Sequence, residues 1–309
     1  MRGPSIVVVG TGGVGGYFGG RLARAGERVA FVARGAHLDA LRRSGLTVRS
    51  TVEGEWSVRV EAVETVDGRE PADVVLLCVK AFDTEAALER ARPAVGPATA
   101  VISLQNGVEA VEKIEAALGP GHAVGGAAYV FANIEAPGVI AHRFAGRVIF
   151  GELDGRASER CRRFLEALTR AQIPAELASD IRRVLWEKYA VIGAQAGVTA
   201  VTRCPSGVIR ETPETWRFYR MIVEEYVALA AAAGAKLPPE AADTIMKLAA
   251  GLGPETTSSL AHDLAQGRRL ELETLHGYAV RLGERLGVPT PMVFAVYAAL
   301  KPYLGGSAR

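Results

Sequence analysis

The sequence predicts an α/β fold, an N-terminal Rossmann-type doubly wound sheet followed by an all-α C-terminal domain, and three observations predict it. Up to about residue 176 short β-branched runs alternate with amphipathic stretches, a glycine-rich turn follows directly on the first run, and from about residue 180 the apolar spacing is helical almost throughout. Such alternation is the pattern of βαβ units on a parallel sheet. Strands are expected over 6–9, 29–32, 74–79, 100–103 and 123–130, with helices over 13–25, 84–91 and 108–118 between them. Two hairpins are expected to extend the sheet antiparallel: 46–50 with 56–60 around Glu53-Gly54, and 138–142 with 147–150 around Ala145-Gly146. Beyond them the spacing predicts helices over 181–192, 213–233, 239–250, 258–266, 271–286 and 291–300, punctuated by Gly and Pro. The division therefore falls between 1–178 and 179–309. Helix 213–233 serves either an intrachain core or the seam of a homodimer, and the sequence leaves both open.

Composition bounds the function. With 309 residues, 49% hydrophobic and 23% charged, the chain buries enough for about two domains. Its net charge of +2 lacks the positive excess that non-specific nucleic-acid or anionic-membrane binding needs. A phosphate ligand must then be held locally. Cys78, Cys161 and Cys204 are widely spaced with no C-x-x-C, which argues against a disulfide framework and against a metal site. No signal-peptide pattern precedes the run Ser5-Ile-Val-Val-Val, and the weakly polar stretch 189–201 falls short of the ~20 apolar residues of a membrane span. A soluble, cytoplasmic chain is expected.

The turn Gly10-Thr11-Gly12-Gly13-Val14-Gly15 is a G-x-G-x-x-G that closes a strand and opens a helix. There bare backbone amides and the helix N-terminus can face a pyrophosphate with no Cβ in the way. The plainer alternative is a turn that lets helix and strand pack closely, a role that suits Gly19 and Gly20. Its position between strand and helix favours the dinucleotide site. The next strand runs into Arg34, with no carboxylate until Asp39. An arginine at that place pairs a 2′-phosphate, where a carboxylate would take a ribose hydroxyl, so NADP(H) is expected over NAD. Lys80 closes the run from Val74 at a sheet edge where such folds place ligands, or is simply a snorkelling surface lysine.

A reduced nicotinamide calls for a carbonyl or imine substrate and a donor to meet the oxygen as hydride arrives. Lys188 lies in an otherwise apolar helical stretch, where partial desolvation would lower its pKa and ease proton release, unless it belongs to a solvated face. Asn106 follows the strand at 100–103 and can donate to a substrate oxygen, or serve as a turn or cap residue. Ser259 and Glu271 place a hydroxyl and a carboxylate on neighbouring helical segments; each alone also reads as a helix-start residue.

Together these residues resemble the ketopantoate reductase (2-dehydropantoate 2-reductase) family over nearly the whole chain. The resemblance rests on the glycine turn at 10–15, Arg34, Cys78-Val-Lys80, Leu104-Gln-Asn106-Gly107, Pro137-Gly138-x-x-x-His142, Phe150-Gly-Glu152, Trp186-x-Lys188, Thr199-Ala200, and Ser258-Ser259 ahead of Glu271. It implies NADPH reduction of the 2-keto group of 2-dehydropantoate to (R)-pantoate, on the way to pantothenate and coenzyme A. It also implies roles: Lys188 as general acid, Asn106 positioning substrate and nicotinamide, Glu271 on the substrate hydroxyl, Ser259 on its carboxylate, and Arg34 and Lys80 on the phosphate end of the cofactor.

The chain departs from the family where asparagines commonly stand four and eight residues after the lysine. Here those positions are Ile192 and Ala196, with Gln195 offered as a replacement amide, and Ser206 stands where a third asparagine is usual. Each lost amide bond costs about 1–3 kcal/mol, enough to blunt pantoate specificity while sparing hydride chemistry. The alternative is therefore an NADPH-dependent reductase of a different, more apolar 2-keto acid or related carbonyl compound. A non-catalytic NADPH-binding sensor would be marked by loss of the lysine and carboxylate, and both Lys188 and Glu271 are present.

Overall fold

The computed structural model describes residues 3–307, and the chain divides into two compact units: 1–105 with 110–181, and 106–109 with 182–309. The first unit carries strands β1 (Ser5–Val9), β2 (Arg28–Val32), β3 (Leu46–Ser50), β4 (Gly54–Val58), β5 (Glu61–Val63), β6 (Val74–Leu77), β7 (Ala100–Ser103), β8 (Ala123–Ala136), β9 (Val139–Glu152) and β10 (Ala175–Leu177). Its helices are α1 (Gly13–Arg24), α2 (Gly35–Ser44), α3 (Thr84–Ala91), α4 (Ala110–Leu118) and α5 (Glu159–Arg170). Strand order is β4-β3-β9-β8-β7-β6-β1-β2-β5, with β10 paired to β9. β1 pairs in parallel with β2 and β6, and the parallel ladder continues through β7 to β8.

Residue alternation on the central strands explains why helices cover both faces. Ile6 and Val8 of β1, with Val74 and Leu76 of β6, pack with Phe18 and Leu22 of α1, Leu38 and Leu41 of α2, and Phe164 and Leu168 of α5. Val7, Val9, Val75 and Leu77 point the other way, onto Ala87, Leu88 and Ala91 of α3 and Ile114 of α4. Strands buried on both faces read as continuous apolar runs, as Val74-Val-Leu-Leu does.

One expected hairpin is corrected. Residues 138–142 and 147–150 lie on the same strand, β9; the turn is at Pro137-Gly138, and β8 and β9 form one long antiparallel pair. Gly146 (φ +129) is no turn but part of a bulge where the register shifts between Tyr129 and Val130. The other hairpin forms as β3 and β4, its second strand two residues earlier than expected, and it joins the sheet through a parallel rather than antiparallel pairing of β3 with β9. The strand expected over 74–79 stops at Leu77, which leaves Lys80 in the loop beyond β6. The three cysteines are free thiols.

The second unit holds α6 (Ile181–Thr202, its first residue in the sheet unit), α7 (Ser206–Glu211), α8 (Pro213–Ala232), α9 (Ala241–Ala250), α10 (Ser259–Ala265), α11 (Tyr278–Leu286) and α12 (Pro291–Leu300). α6 runs ten residues past its expected end, through Gly193 and Gly197. Mid-helix glycine costs about 0.5–1 kcal/mol, and here packing requires it: a Cβ on Gly197 would meet His276 Nε2 at 2.8 Å, and one on Gly193 would strike the Tyr226 ring. The expected helix over 271–286 is interrupted by a π-turn, Glu273–Gly277, ahead of α11. On α8, Tyr219, Ile222, Val223, Tyr226, Leu229 and Ala230 are spent on the core of this unit. No helix among the described residues is long and apolar enough to cross a membrane.

Candidate active site

In the sheet unit the glycine turn is built from backbone. Gly10 takes φ +98, and a Cβ there would lie 2.6 Å from the Val79 amide nitrogen, so β6's exit loop packs directly on it. Gly15 is equally closed, against the Gly10 carbonyl and the Cys78 side chain. Gly12 is different: nothing lies within 4 Å of the Cβ position, so its bareness serves no packing inside the chain. Thr11 turns its hydroxyl inward, donating to the Val32 carbonyl at 3.1 Å and tying the turn to β2. Gly13 and Val14 open α1, whose first turn has no acidic residue and no side-chain cap. Uncapped amides at a helix start are a favourable place for phosphate oxygens. These residues fit a dinucleotide: an open Cβ position at Gly12, a close-packed turn and a helix start with no side-chain cap.

Arg34 is the residue before α2, in extended conformation, with its side chain 71% exposed and 3.6 Å from Asp83 Oδ2. Exposed pairs of this kind contribute about 0–1 kcal/mol, so the guanidinium is easily drawn to a phosphate. Lys80 is exposed and precedes the short 3₁₀ turn Ala81–Asp83. The adjacent Gln105, which the sequence does not single out, is structural: buried, it donates through Nε2 to the Val79 carbonyl (3.0 Å) and Thr84 Oγ1 (2.8 Å) and accepts from Ser103.

The helical unit gathers the titratable groups. Lys188 on α6 is 9% exposed; burial brings its pKa down to about 8, and the Glu271 carboxylate opposes that fall. Glu271, 8% exposed, lies two residues ahead of the π-turn. Asn106 belongs to this unit too, on the segment 106–109; it is half-buried, and α4 begins only at Ala110, so it is not the residue next to the helix. Gly107 (φ +90) sits against the π-turn, where a Cβ would lie 2.8 Å from Thr274 Cγ2.

Seven residues along α6 from Lys188, and so on nearly the same face, stands Gln195. Its orientation follows from its partners. The Thr256 carbonyl can only accept, so Ser206 donates to it (2.9 Å), and Gln195 Nε2 therefore donates to Ser206 Oγ (2.9 Å). Gln195 Oε1 is left buried with no partner. Ile192 is half-buried and Ala196 buried on the same helix. Ser258, not Ser259, caps α10, accepting from the Ala261 amide at 3.0 Å and meeting Thr199 Oγ1 at 2.7 Å. Ser259 is the first helical residue and exposed. The turn residues Gly10, Thr11, Gly12, Gly13, Val14 and Gly15, with Arg34 and Lys80, thus belong to the sheet unit; Asn106, Lys188, Gln195, Ser206, Ser259 and Glu271 belong to the helical unit.

Two family models match, "Ketopantoate reductase PanE/ApbA" over residues 6–155 and "Ketopantoate reductase PanE/ApbA C terminal" over residues 180–304. A Bacillus subtilis protein described as "Uncharacterized oxidoreductase YkpB" is 29% identical over 96% of this chain and 98% of its own. The 2-dehydropantoate 2-reductase of Archaeoglobus fulgidus is 32% identical over 93% of this chain and 94% of its own. The crystal structure of a PanE/ApbA family ketopantoate reductase from Ralstonia eutropha superposes with a TM-score of 0.87 at 32% identity, covering 97% of this chain and 98% of that one. The chain belongs to the ketopantoate reductase PanE/ApbA family, oxidoreductases that work with a nicotinamide cofactor.

Proposed function

We propose that the protein reduces the 2-keto group of 2-dehydropantoate with NADPH to give (R)-pantoate, a step towards pantothenate, in the cytoplasm. The single observation that carries this reading is Lys188: an ammonium buried in the helical unit, its pKa brought to about 8, with a carboxylate acting on it. Bound at the glycine turn, the cofactor supplies the hydride. Arg34 and Lys80 hold its phosphate end, and Arg34 selects the 2′-phosphate by charge and a bidentate fit. Lys188 gives its proton to the substrate oxygen as negative charge develops there; a donor whose pKa lies near working pH is both protonated and willing to release. Asn106 positions the keto acid, Glu271 accepts from its hydroxyl, and Ser259 meets its carboxylate.

A specific observation favours a second reading, a more apolar 2-keto acid. Gln195 spends its donor on Ser206, and beside it α6 presents Ile192 and Ala196. A substrate bound against this stretch of α6 would meet one acceptor oxygen and otherwise hydrocarbon. A screen of NADPH oxidation over 2-keto acids separates the two, with Lys188→Ala as control. Turnover of 2-dehydropantoate at or above that of analogues lacking the 4-hydroxyl supports the first reading, and the reverse order supports the second. No Lys188-dependent oxidation with any 2-keto acid overturns both.

A further inference from the structure

The π-turn Glu273–Gly277 takes no part in hydride or proton transfer, yet it begins two residues after Glu271 and packs against Gly107, the neighbour of Asn106. In a regular helix the Tyr278 amide would bond the Thr274 carbonyl, four residues back; here it bonds the Glu273 carbonyl, five back. Thr274 is thereby released from its helical partner. Its carbonyl receives the Tyr189 hydroxyl at 2.9 Å, and the same phenol lies 2.9 Å from the Leu275 carbonyl, which the Tyr226 hydroxyl also reaches. His276 donates from Nε2 to the Gly193 carbonyl on α6 at 3.0 Å. Both tyrosines are fully buried, and burial raises their pKa values far above the ordinary phenol range, so they remain donors. An extra residue in a helical turn rotates the side chains before it by about 100° relative to those after it. Glu271 stands on the leading side of this one.

Tyr189 is the residue after Lys188 on α6, and Gly107 packs on Thr274 from the other candidate segment. We propose that Tyr189 is a positioning residue: its hydroxyl latches the π-turn to α6 and so sets the Glu271 carboxylate in register with Lys188. The latch works through the backbone of Thr274 and Leu275 and touches no reacting atom. Desolvation lowers the proton affinity of Lys188 and the Glu271 carboxylate opposes it. His276 on the π-turn is held down to about 4 by burial and stays neutral, and Glu187 on the same helix pairs with Arg183.

The kinetic arm of the test rests on the reductase reading, and the spectroscopic arm does not. In Tyr189→Phe the ring remains and the donor goes. With Glu271 no longer held, Lys188 loses the partner that supports its charge, and its pKa falls by about 0.5–1 unit. A 13Cε NMR titration of Lys188 in lysine-labelled protein reads this directly, with the wild-type midpoint near 8. In the assay the basic limb of kcat/KM for the keto acid moves down by the same amount, kcat falls roughly tenfold, and NADPH binding stays unchanged. A Lys188 midpoint identical in wild type and Tyr189→Phe overturns the latch. Absence of NADPH turnover in wild type overturns the reductase reading instead and leaves the titration to decide. Tyr226→Phe, which strips the second donor from Leu275 and a hydroxyl partner from Tyr189 while leaving the Tyr189 hydroxyl in place, should shift the midpoint the same way by less. Should Tyr189→Phe fail to fold, no shift in Tyr226→Phe overturns the proposal.

Discussion

The sheet unit and the helical unit reach function by different physical routes. The sheet unit's candidate site is made of main chain, where a positive φ at Gly10, an open Cβ position at Gly12 and uncapped amides at the start of α1 do the work. The helical unit's site is made of side chains whose properties come from burial: Lys188 owes its lowered pKa to desolvation, and Gln195 its single open acceptor to Ser206 and Thr256. A backbone site needs glycines at fixed offsets, which can be read along a chain. A buried side-chain site needs a packed surrounding, which cannot.

Lys188→Ala should break the helical side alone, and with the largest effect. We expect kcat to fall by about 10²–10⁴ with NADPH affinity unchanged, because the lost proton donor acts in the transition state. Comparable loss of cofactor binding in a fluorescence titration would mean that the lysine is structural. Arg34→Asp is the reciprocal test on the sheet side. It should weaken NADPH by about 10–100-fold while leaving NADH nearly unaffected, since repulsion is directed at the 2′-phosphate. An unchanged preference between the two nucleotides would refute the assignment.

Gly12→Ala sharpens the contrast. Because the chain has nothing near that methyl, the Tm should hold within about a degree, while NADPH binding weakens about tenfold as the methyl enters ligand space. Gly10→Ala should instead lower the Tm itself, its methyl meeting the Val79 amide. A Gly12→Ala protein that binds NADPH like wild type would show that the turn is only a packing device.

The smallest effect concerns stability. Lys188 has a folded pKa below its unfolded value, so the folded state resists its protonation: the penalty is full below about pH 8 and vanishes as pH rises past the unfolded value. Lys188→Met should therefore stabilise the protein by about 1–3 kcal/mol at pH 7, with the gain shrinking between pH 8 and 10.5. Denaturant unfolding across that range checks the sign, and a variant less stable than wild type at pH 7 would contradict it. In the wild-type enzyme the reduction rate should decline above about pH 8, as the ammonium is lost.

Much of the architecture was legible because its signals are local. Alternating apolar runs marked β1, β2, β6 and β7, and glycine, proline and apolar spacing marked α8 and α12. Where the pattern misled, a local signal had a non-local cause. Gly146 resembles a turn residue but relieves a bulge above the Tyr17 ring, and α6 continues through two glycines because Tyr226 and His276 occupy the space their side chains would need. The sequence pointed to Ser259 or Glu271 as helix-start residues; the cap is Ser258, and Glu271 stands ahead of a π-turn that no periodicity announces.

By itself, the order of residues determined the α/β and all-helical halves, the glycine turn and the identity of the candidate groups, because backbone freedom at glycine and apolar periodicity are properties of neighbouring residues. Only the tertiary structure decided that Lys188 is desolvated, which atom of Gln195 is left open, and that Asn106 joins the helical unit. It also decided that Tyr189, unremarkable in the sequence, binds two carbonyls more than eighty positions away. Solvation and hydrogen-bond partnership depend on what surrounds a group in space, and those surroundings exist only once distant segments have met.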